Sequence, residues 1–515
     1  MDRRQFVSRS GLFLTGSSLF SSYPFIGRRT PALGYSLPEH EGVDSEAIVH
    51  YLNAANQSGL EHHGFIMQRH GKIIAEAYWR PFTPDHLHTL YSLSKSFTST
   101  AIGMAIDEGK IKLSDKLISF FPDLVPSSPS SNLQKLEIRH ALHMATGHVV
   151  DTLPIMRSKD QSWIKTFFET PIEKEPGTHF LYNTGSTYML SAIISKVMGM
   201  TAHEYLKPRL FDPLGITGTD WEKSPEGINT GGYGLRVSTR DISRFGQLWL
   251  QKGNWKTKQL ISEAYVNDAS TSHIKSNPGD GDWSQGYGYQ FWRCKPGFYR
   301  GDGAFGQYCI IMPQYDAVIA VNSESSNMAR QMQLMWEHLL PGIKDGPLKT
   351  NRAAKDHLRT LSDSLSLNSH IGLAADQINR IINGKVIKLG ENKWDWESIK
   401  ISSNGSEGDL TLVKKTETLK IPFGINSWKS NHQRINNPFT IDYRTQVPSM
   451  VAATAGATDP DMFKIRFKYT EAIHGDLMTL RVINPEKLEF SWMNSLSEKG
   501  ANNVRETRMP VQGMI

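Results

Sequence analysis

The stretch Tyr91-Ser92-Leu93-Ser94-Lys95-Ser96-Phe97-Thr98-Ser99-Thr100-Ala101-Ile102-Gly103 predicts both the fold class and the chemistry of this chain. Its apolar residues recur at helical spacing, so it is expected to form the first turns of a helix. Ser92 and Lys95 are three residues apart and share one face of that helix. At a helix start the backbone N–H groups are unpaired and the dipole is positive. The segment therefore offers a nucleophile, an amine that accepts its proton, and donors for an oxyanion.

Four residues alone are compatible with a simpler interpretation, in which Ser92 caps a helix and Lys95 is a solvated charge. The chain contains a second Ser-x-x-Lys at Ser272 and Lys275, in a polar stretch that is typical of a loop. Small residues dominate positions 99–105, which favours a helix packed closely on several sides. A lysine at the mouth of such a helix is easily shifted toward its neutral form.

Two later segments carry groups that the same chemistry needs. Tyr182, in Leu181-Tyr182-Asn183-Thr184-Gly185, is expected just before a helix, where its phenol could move a proton if a neighbouring ammonium lowered its pKa. The alternative is an ordinary half-buried tyrosine. Gly301-Asp302-Gly303-Ala304 is a glycine-rich edge among predicted strands, where a backbone or a ligand can approach closely. Such an edge can donate an N–H to an oxyanion, or it can be a simple turn.

In this order the three segments resemble the motifs of the serine β-lactamase and penicillin-binding-protein superfamily. The likeness is greatest to the branch of class C β-lactamases, D-alanyl-D-alanine carboxypeptidases and family VIII esterases. It covers roughly residues 40–340. It includes Leu136 to Gly147, which ends in Thr146-Gly147, and Gly231-Gly232-Tyr233-Gly234-Leu235.

The resemblance implies a role for each matching position. Ser92 matches the acylated nucleophile, Lys95 the lysine of Ser-x-x-Lys, and Tyr182 the tyrosine of Tyr-x-Asn. The asparagine of that motif is Thr184 here. Asp302 stands where the Lys-Thr-Gly or His-x-Gly strand motif has its cation. Both departures concern the recognition of a penicillin-like carboxylate, and the acylation residues are unaffected. Thr184, Asp302, Gly303, Ala304 and Phe305 are accordingly predicted to contact substrate, with the oxyanion between the N–H of Ser92 and one from Ala304 or Phe305.

The order of predicted elements indicates an α+β fold, with one sheet built from distant segments and an inserted helical region. The resemblance implies that this sheet is β-lactamase-like, antiparallel and flanked by helices. Strands are expected at 64–69, 72–79, 288–293, 298–301, 307–312 and 317–322, with helices near 92–108, 184–198, 239–252 and 327–340. Short alternating runs after residue 372 predict a C-terminal all-β module, a small barrel or sandwich. The expected division is residues 1–35 as an export signal or tail, 36–345 as the hydrolase domain, 346–371 as a linker and 372–515 as the β domain.

Composition limits the possible partners. The chain has 515 residues and a net charge of +6, from 57 Lys and Arg interspersed with 51 Asp and Glu. We find no long basic run, so nucleic-acid binding is not expected. No apolar run is long enough for an integral membrane span. No cofactor or metal site is predicted, because His62-His63 and His86-x-His88 lack accompanying carboxylates or cysteines. Cys294 and Cys309 could pair across neighbouring strands or remain as buried thiols.

The N-terminus predicts the cellular location. Basic residues 3–9 precede a short, mildly apolar stretch, the layout of an export signal, and Arg3-Arg4-x-Phe6-Val7 resembles a twin-arginine signal. The alternative is a basic tail. We therefore expect a periplasmic or extracellular serine hydrolase that acts on esters or amides of small molecules or peptides. The alternatives are a D-amino-acid peptidase or carboxypeptidase, a β-lactamase, and a binding module that has lost catalysis.

Overall fold

A computed structural model describes residues 33–372, 381–438, 448–498 and 508–515. The predicted export signal lies outside these residues except for positions 33–35. Among the helices that the model describes, none combines the length and the apolar character that a membrane span requires.

The first part of the chain forms a seven-stranded sheet with helices on both faces. The strands of this part are β1 (Gly34–Tyr35), β2 (Glu61–Arg69), β3 (Lys72–Tyr78), β4 (His88–Thr89), β5 (Asp220–Trp221), β6 (Leu235–Val237), β7 (Asn254–Trp255), β8 (Lys258–Gln259), β9 (Trp292–Arg293), β10 (Tyr299–Gly303), β11 (Gln307–Met312) and β12 (Ala317–Glu324). The sheet order is β1-β3-β2-β12-β11-β10-β9, and every pairing except the parallel β1–β3 pair is antiparallel.

The helices of this part lie mostly between β3 and β9, as an inserted helical region. They are α1 (Ser45–Gln57), α2 (Ser94–Asp107), α3 (Ser131–Lys135), α4 (Ile138–Leu142), α5 (Thr152–Ser158), α6 (Trp163–Glu169), α7 (Thr184–Met198), α8 (Ala202–Leu206), α9 (Asp212–Leu214), α10 (Thr239–Leu250), α11 (Glu263–Ala269), α12 (Met328–His338) and α13 (Arg352–Ser364). The predicted α+β class, with one sheet built from distant segments and an inserted helical region, is confirmed.

Alternation along β11 and β12 explains why these strands are apolar throughout. Tyr308, Ile310 and Met312 belong to the core beneath α1 and α12. Cys309 points the other way, where its Sγ lies 3.6 Å from the carbonyl oxygen of Ile242 in α10. Strands buried on both faces lose the polar alternation of a one-sided sheet.

The two cysteines are free and buried. Cys294 belongs to the core under α1 and α12, whereas Cys309 faces α10. The sheet separates them, so they do not pair across neighbouring strands and remain as buried thiols.

One predicted strand is mostly wrong. Of residues 288–293 only Trp292 and Arg293 are in a strand. Gln290 has φ 65° and uses its side chain instead: its amide donates to the carbonyl oxygens of Ala141 and Leu142. Its Oε1 accepts from Thr187 at 2.7 Å. The segment therefore connects the edge of the sheet to the helices α4 and α7 through the hydrogen bonds of the Gln290 side chain.

The C-terminal part is all-β, as predicted, and its main sheet closes on itself. The strands are β13 (Val386–Leu389), β14 (Ser398–Ser403), β15 (Glu407–Lys414), β16 (Glu417–Ile425), β17 (Lys429–Ser430), β18 (Val451–Asp459), β19 (Met462–Tyr469), β20 (Gly475–Asn484), β21 (Lys487–Asn494) and β22 (Val511–Met514), with α14 at Ser495–Glu498. Nine of these strands pair in sequence from β16 to β18, and β16 also pairs with β18, which closes the sheet; β17 pairs with β18. The module is therefore a barrel and not a sandwich.

The barrel touches the first part through the turn 470–474 between β19 and β20, and both belong to one compact unit, Leu33–Ile515. Arg236 of β6 donates to the carbonyl oxygens of Glu471 at 3.4 Å and of Pro448 at 3.3 Å. Trp428 donates to the carbonyl oxygen of Leu367 at 3.0 Å. The same turn carries His474, which lies against the segment before Ser92.

Candidate active site

Ser92 lies in a 3-10 turn, Tyr91–Leu93, that leads directly into α2 at Ser94. The helix thus begins two residues later than expected, and Ser92 is not its capping residue. Lys95 follows one turn on, and its Nζ lies 3.0 Å from Ser92 Oγ. The spacing in sequence has therefore placed the two side chains in direct contact, as a helical face requires.

Lys95 is buried and has neutral surroundings. Besides Ser92, its Nζ donates to the carbonyl oxygen of Gly232 at 2.8 Å and approaches Thr184 Oγ1 at 3.5 Å. Its side chain is only 1% exposed. Burial lowers the pKa of Lys95 to about 7, and the more distant charges of Asp151 and Asp302 oppose that shift only in part. At neutral pH a large fraction of this lysine is a free amine that can accept a proton.

Tyr182 lies beside both groups. Lys95 Nζ is 4.8 Å from the centroid of its ring. The conditional expectation that an ammonium lowers the pKa of this phenol is wrong: burial, and secondly the charge of Asp302, raise the pKa well above 10, while a hydrogen bond with Ser92 opposes them. Tyr182 therefore stays protonated and can only donate or relay a proton.

A polar network that the sequence did not indicate fixes the start of α7. Asn183 caps this helix and its Oδ1 accepts from Thr152 N and Oγ1 at 3.1 and 2.8 Å. Asp151 Oδ1 accepts from the backbone N–H of Thr184 at 2.9 Å and also caps α5 through Leu153 N. Two helix starts are thus joined at the point where Tyr182 and Thr184 enter the site.

The glycines of β10 permit a close approach to the nucleophile segment. A Cβ on Gly303 would lie 2.0 Å from the carbonyl oxygen of Leu90, and one on Gly301 would lie 2.4 Å from Leu93 Cδ1. A backbone therefore approaches this edge closely, because the 3-10 turn packs directly on the strand.

Asp302, between these two glycines, is ion-paired. Its Oδ2 accepts from Arg300 Nε at 3.0 Å and from Trp283 Nε1 at 2.9 Å. Asp302 is buried, and desolvation raises its pKa against the opposing pull of Arg300. A carboxylate, partly balanced by a guanidinium, therefore stands where the resembled motif has a cation.

Ala304 and Phe305 form the turn between β10 and β11. Phe305 has φ 66°, a region that favours glycine. Its carbonyl oxygen accepts from Ser325 N at 2.8 Å and from Ser323 Oγ at 2.6 Å. The turn is therefore held from β12 in one defined orientation.

Aromatic side chains surround the Tyr182 ring. Trp292 stacks on it, with centroids 5.4 Å apart and planes inclined by 20°. Tyr287 contacts it edge-on at 6.2 Å, and Phe180 packs on both neighbours. This side of the site suits an apolar group.

The remaining candidate residues lie elsewhere. Ser272 and Lys275 of the second Ser-x-x-Lys are exposed, and Ser272 Oγ donates to the carbonyl oxygen of Ile274. His63 and His88 are buried and hydrogen-bonded to each other at 2.8 Å. Within the described residues, no group of three or more His, Cys, Asp or Glu side chains is arranged to hold a metal ion.

Comparisons with known proteins show which family the chain resembles over its first part. A family model described as Beta-lactamase matches residues 59–341. The 6-aminohexanoate-dimer hydrolase of Paenarthrobacter ureafaciens is 26% identical over 277 residues, which are 50% of this chain and 70% of that protein. A Beta-lactamase of Escherichia coli (strain K12) is 26% identical over 244 residues, 42% of this chain and 61% of that one.

A Putative D-alanyl-D-alanine carboxypeptidase of Salmonella agona is 22% identical over 219 residues and matched over 50% of its own length. Among solved structures, that of EstCE1, a hydrolase with promiscuous acyltransferase activity, superposes with a TM-score of 0.50 at 15% identity, covering 57% of this chain and 98% of that one. This likeness shows the fold. The octameric penicillin-binding protein homologue from Pyrococcus abyssi covers 90% of this chain and 99% of its own at a TM-score of 0.47 and 16% identity.

Proposed function

This chain belongs to the Beta-lactamase family, whose relatives here are named as hydrolases, and we propose that it cleaves esters or amides through an acyl-enzyme on Ser92. Lys95 is the general base and Tyr182 the proton donor. One observation carries the proposal: the buried Nζ of Lys95 lies 3.0 Å from Ser92 Oγ with neutral partners only. A base with a pKa of about 7 matches the operating range of general-base catalysis.

The proposed steps use these side chains, two backbone N–H groups and one water molecule. The free amine of Lys95 takes the hydroxyl proton while Ser92 Oγ bonds to the substrate carbonyl carbon. The N–H groups of Ser92 and of Ala304 or Phe305 stabilise the oxyanion. As the intermediate collapses, Tyr182 protonates the leaving oxygen or nitrogen and regains a proton from the Lys95 ammonium. A water molecule, deprotonated by Lys95, then attacks the carbonyl carbon of the acyl-enzyme. The bond between that carbon and Ser92 Oγ breaks, the Lys95 ammonium returns its proton to Ser92 Oγ, and the acid leaves.

The surroundings favour substrates without a carboxylate near the scissile bond. Asp302 is close enough to act on the charges of both Lys95 and Tyr182. It would repel an anion in the position where a penicillin carboxylate is bound by a cation in the resembled motif. Trp292 and Tyr287 supply an apolar wall. Simple esters and linear amides, of the kind named for the 6-aminohexanoate-dimer hydrolase, therefore fit better than penicillins.

The proposal extends to the organisation and location of the chain. We place the hydrolase in residues 36–345 and the β domain in 372–515, and we keep export through residues 1–35 as part of the proposal. The substrate is then a small molecule or a peptide of the periplasm or the exterior.

A covalent probe tests the proposal. The protein is incubated with a fluorophosphonate and, separately, with a fluorescent penicillin, and the adduct is located by intact mass and peptide mapping. We expect a fluorophosphonate adduct on Ser92, its loss in Ser92→Ala, and full labelling of the matched variant Ser272→Ala. Labelling at another residue, or none with either probe, contradicts the proposal and favours the binding module.

Substrate panels separate the remaining alternatives. We expect turnover of p-nitrophenyl butyrate and of the 6-aminohexanoate dimer, and much slower turnover of a D-alanyl-D-alanine peptide and of nitrocefin. A preference for either of the last two would replace the esterase or amidase assignment by a peptidase or a β-lactamase, with the same nucleophile.

A further inference from the structure

Two strained residues flank the proposed nucleophile and its oxyanion donor. Tyr91, immediately before Ser92, has φ 46°, and Phe305, in the β10–β11 turn, has φ 66°. Residues with a Cβ rarely adopt this conformation, and they keep it where the surroundings hold them. The two backbones that aim Ser92 and the oxyanion N–H therefore depend on what packs against Tyr91 and Phe305.

Both rings pack against one residue of the barrel, His474. The Tyr91 hydroxyl is 2.7 Å from His474 Nε2, across 383 positions of sequence. The His474 and Phe305 rings meet edge to face, with centroids 4.8 Å apart and planes at 88°. Tyr91 and Phe305 also contact each other, at 5.3 Å and 73°. The three rings form a closed set, and only His474 belongs to the barrel.

A buried charge chain fixes the orientation of the imidazole. His474 Nδ1 lies 2.7 Å from Oε1 of Glu324, which is fully buried. Lys468 of β19 donates to Glu324 Oε2 at 2.9 Å and to Glu61 Oε1 at 2.6 Å, and Ser495 also donates to Glu324. A carboxylate only accepts, so the Nδ1–H of His474 donates to it; in the neutral ring Nε2 then accepts from Tyr91.

The same glutamate reaches the oxyanion turn from β12. Glu324 lies between Ser323 and Ser325, whose Oγ and N–H hold the carbonyl oxygen of Phe305. The ring of Phe305 is thus positioned by His474 and its backbone by the residues on either side of the carboxylate that binds His474. The segment before Ser92 and the β10–β11 turn are thus both held by the pair of His474 and Glu324.

We propose that His474 is a positioning residue, through which the barrel holds the backbones of Tyr91 and Phe305 so that Ser92 and the oxyanion N–H face the same substrate carbonyl. This rests on the proposed function. It makes the β domain part of the active site, not a separate appendage. His474 itself touches no reacting atom in this scheme.

The test compares His474→Ala and Tyr91→Phe with His432→Ala, which removes an exposed histidine of the barrel part. For each folded variant we measure kcat and KM on p-nitrophenyl butyrate and the rate at which a fluorophosphonate labels Ser92. The fraction of protein that can be labelled, measured by intact mass, gives the concentration of active sites. We expect His474→Ala to lower kcat and the acylation rate about 10- to 100-fold, with KM within about threefold, because small misplacements are costly in catalysis. His432→Ala should behave as the unchanged protein.

Two further variants separate positioning from mere stability. Tyr91→Phe keeps the ring but loses the hydroxyl, and it should reproduce much of the kcat loss and add little to His474→Ala in the double variant. His474→Gln, whose amide oxygen can accept from Tyr91, should recover part of kcat.

The outcomes are distinct from those of the proposed function. If the unchanged protein is acylated at Ser92 and folded Tyr91→Phe and His474→Ala react at its rate, the inference fails and the proposed function stands. The inference also fails if the loss of kcat is explained wholly by a smaller fraction of protein that the fluorophosphonate can label, with no recovery of kcat in His474→Gln. If the unchanged protein is not acylated at Ser92, the proposed function itself fails.

Discussion

Two buried lysines, one in the candidate active site and one at the junction with the barrel, have opposite electrostatic behaviour. Within the described residues Lys95 has only neutral oxygen atoms as hydrogen-bond partners, and burial lowers its pKa to about 7. Lys468 is equally buried but binds Glu61 and Glu324 at 2.6 and 2.9 Å, and these carboxylates raise its pKa above the ordinary value.

The difference shows that burial alone does not decide what a lysine does. Desolvation acts against the ammonium at both positions, and only a carboxylate in contact overcomes it. Lys95 can therefore gain and lose a proton near neutral pH, whereas Lys468 is a permanent cation that holds two carboxylates in place. The first arrangement suits a base, and the second suits a structural tie between two parts of the chain.

Exchanging each lysine for methionine should separate the two roles, and the largest effect is expected at Lys95. Lys95→Met removes the general base and should lower kcat about 10²- to 10⁴-fold. The fold should persist, because a buried amine is replaced by an apolar chain of similar length. Turnover of p-nitrophenyl butyrate measures the loss of catalysis, and the far-UV circular dichroism spectrum measures whether the fold persists. Lys275→Met, at an exposed lysine, is the control. Turnover within tenfold of the unchanged protein would remove Lys95 from the mechanism.

Lys468→Met should instead destabilise the protein. It removes the cation that binds Glu324, which is buried, and Glu61, which is half-buried, and such a change typically costs about 3–5 kcal/mol of unfolding free energy. Urea unfolding measures it, and Lys464→Met on the same strand is the matched control, because Lys464 is half-exposed. An unchanged free energy of unfolding would mean that this junction does not depend on the charge chain.

The active-site elements were predictable where the signal is local. Helix periodicity and the three-residue spacing were enough to bring Lys95 onto Ser92, and the run 307–312 was correctly assigned to a strand. The glycines of β10 were correctly associated with close approach, which here is that of the Leu90 carbonyl oxygen.

What escaped prediction depends on contacts between distant residues. Asp151 joins two helix starts, and His474 reaches Tyr91 over 383 positions, with no local pattern to mark either. Gly232, which accepts from Lys95, was noticed only within a family-like segment. The direction of the Tyr182 shift was missed because it follows from the degree of burial, which spacing does not reveal. Residues 288–291 were assigned to a strand, but the Gln290 side chain contacts the distant helices α4 and α7, which no local pattern marks.

A carboxylate introduced beside Lys95 should make it behave like Lys468. In the unchanged protein, kcat/KM should rise with pH through about 7, because the base works only after losing its proton. Thr184 Oγ1 is 3.5 Å from Nζ, so Thr184→Asp places an anion there. An opposite charge at this distance favours the ammonium and should move the rising limb up by about 1–2 pH units.

At pH 7 that shift corresponds to a loss of kcat/KM of about 5- to 50-fold, which should fall to about twofold or less at pH 9. Thr184→Asn, neutral and similar in size, is the control and should leave the limb in place. A limb that stays near pH 7 in Thr184→Asp would show that it belongs to another group.

The smallest effect is expected from removing one of the two carboxylates of Lys468. Glu61→Gln leaves Glu324 in contact, so Lys468 keeps a full countercharge, and the loss should be about 1 kcal/mol of unfolding free energy. The exposed pair Lys429–Glu407 supplies the comparison: Glu407→Gln should change the free energy by less than about 0.5 kcal/mol. Combined with Lys468→Met, Glu61→Gln should cost nothing further, or even recover stability, since it removes a carboxylate that no longer has the lysine beside it. A loss in Glu61→Gln as large as in Lys468→Met would mean that Glu324 alone cannot hold the lysine charged, and that Lys468 is closer in character to Lys95 than its surroundings indicate.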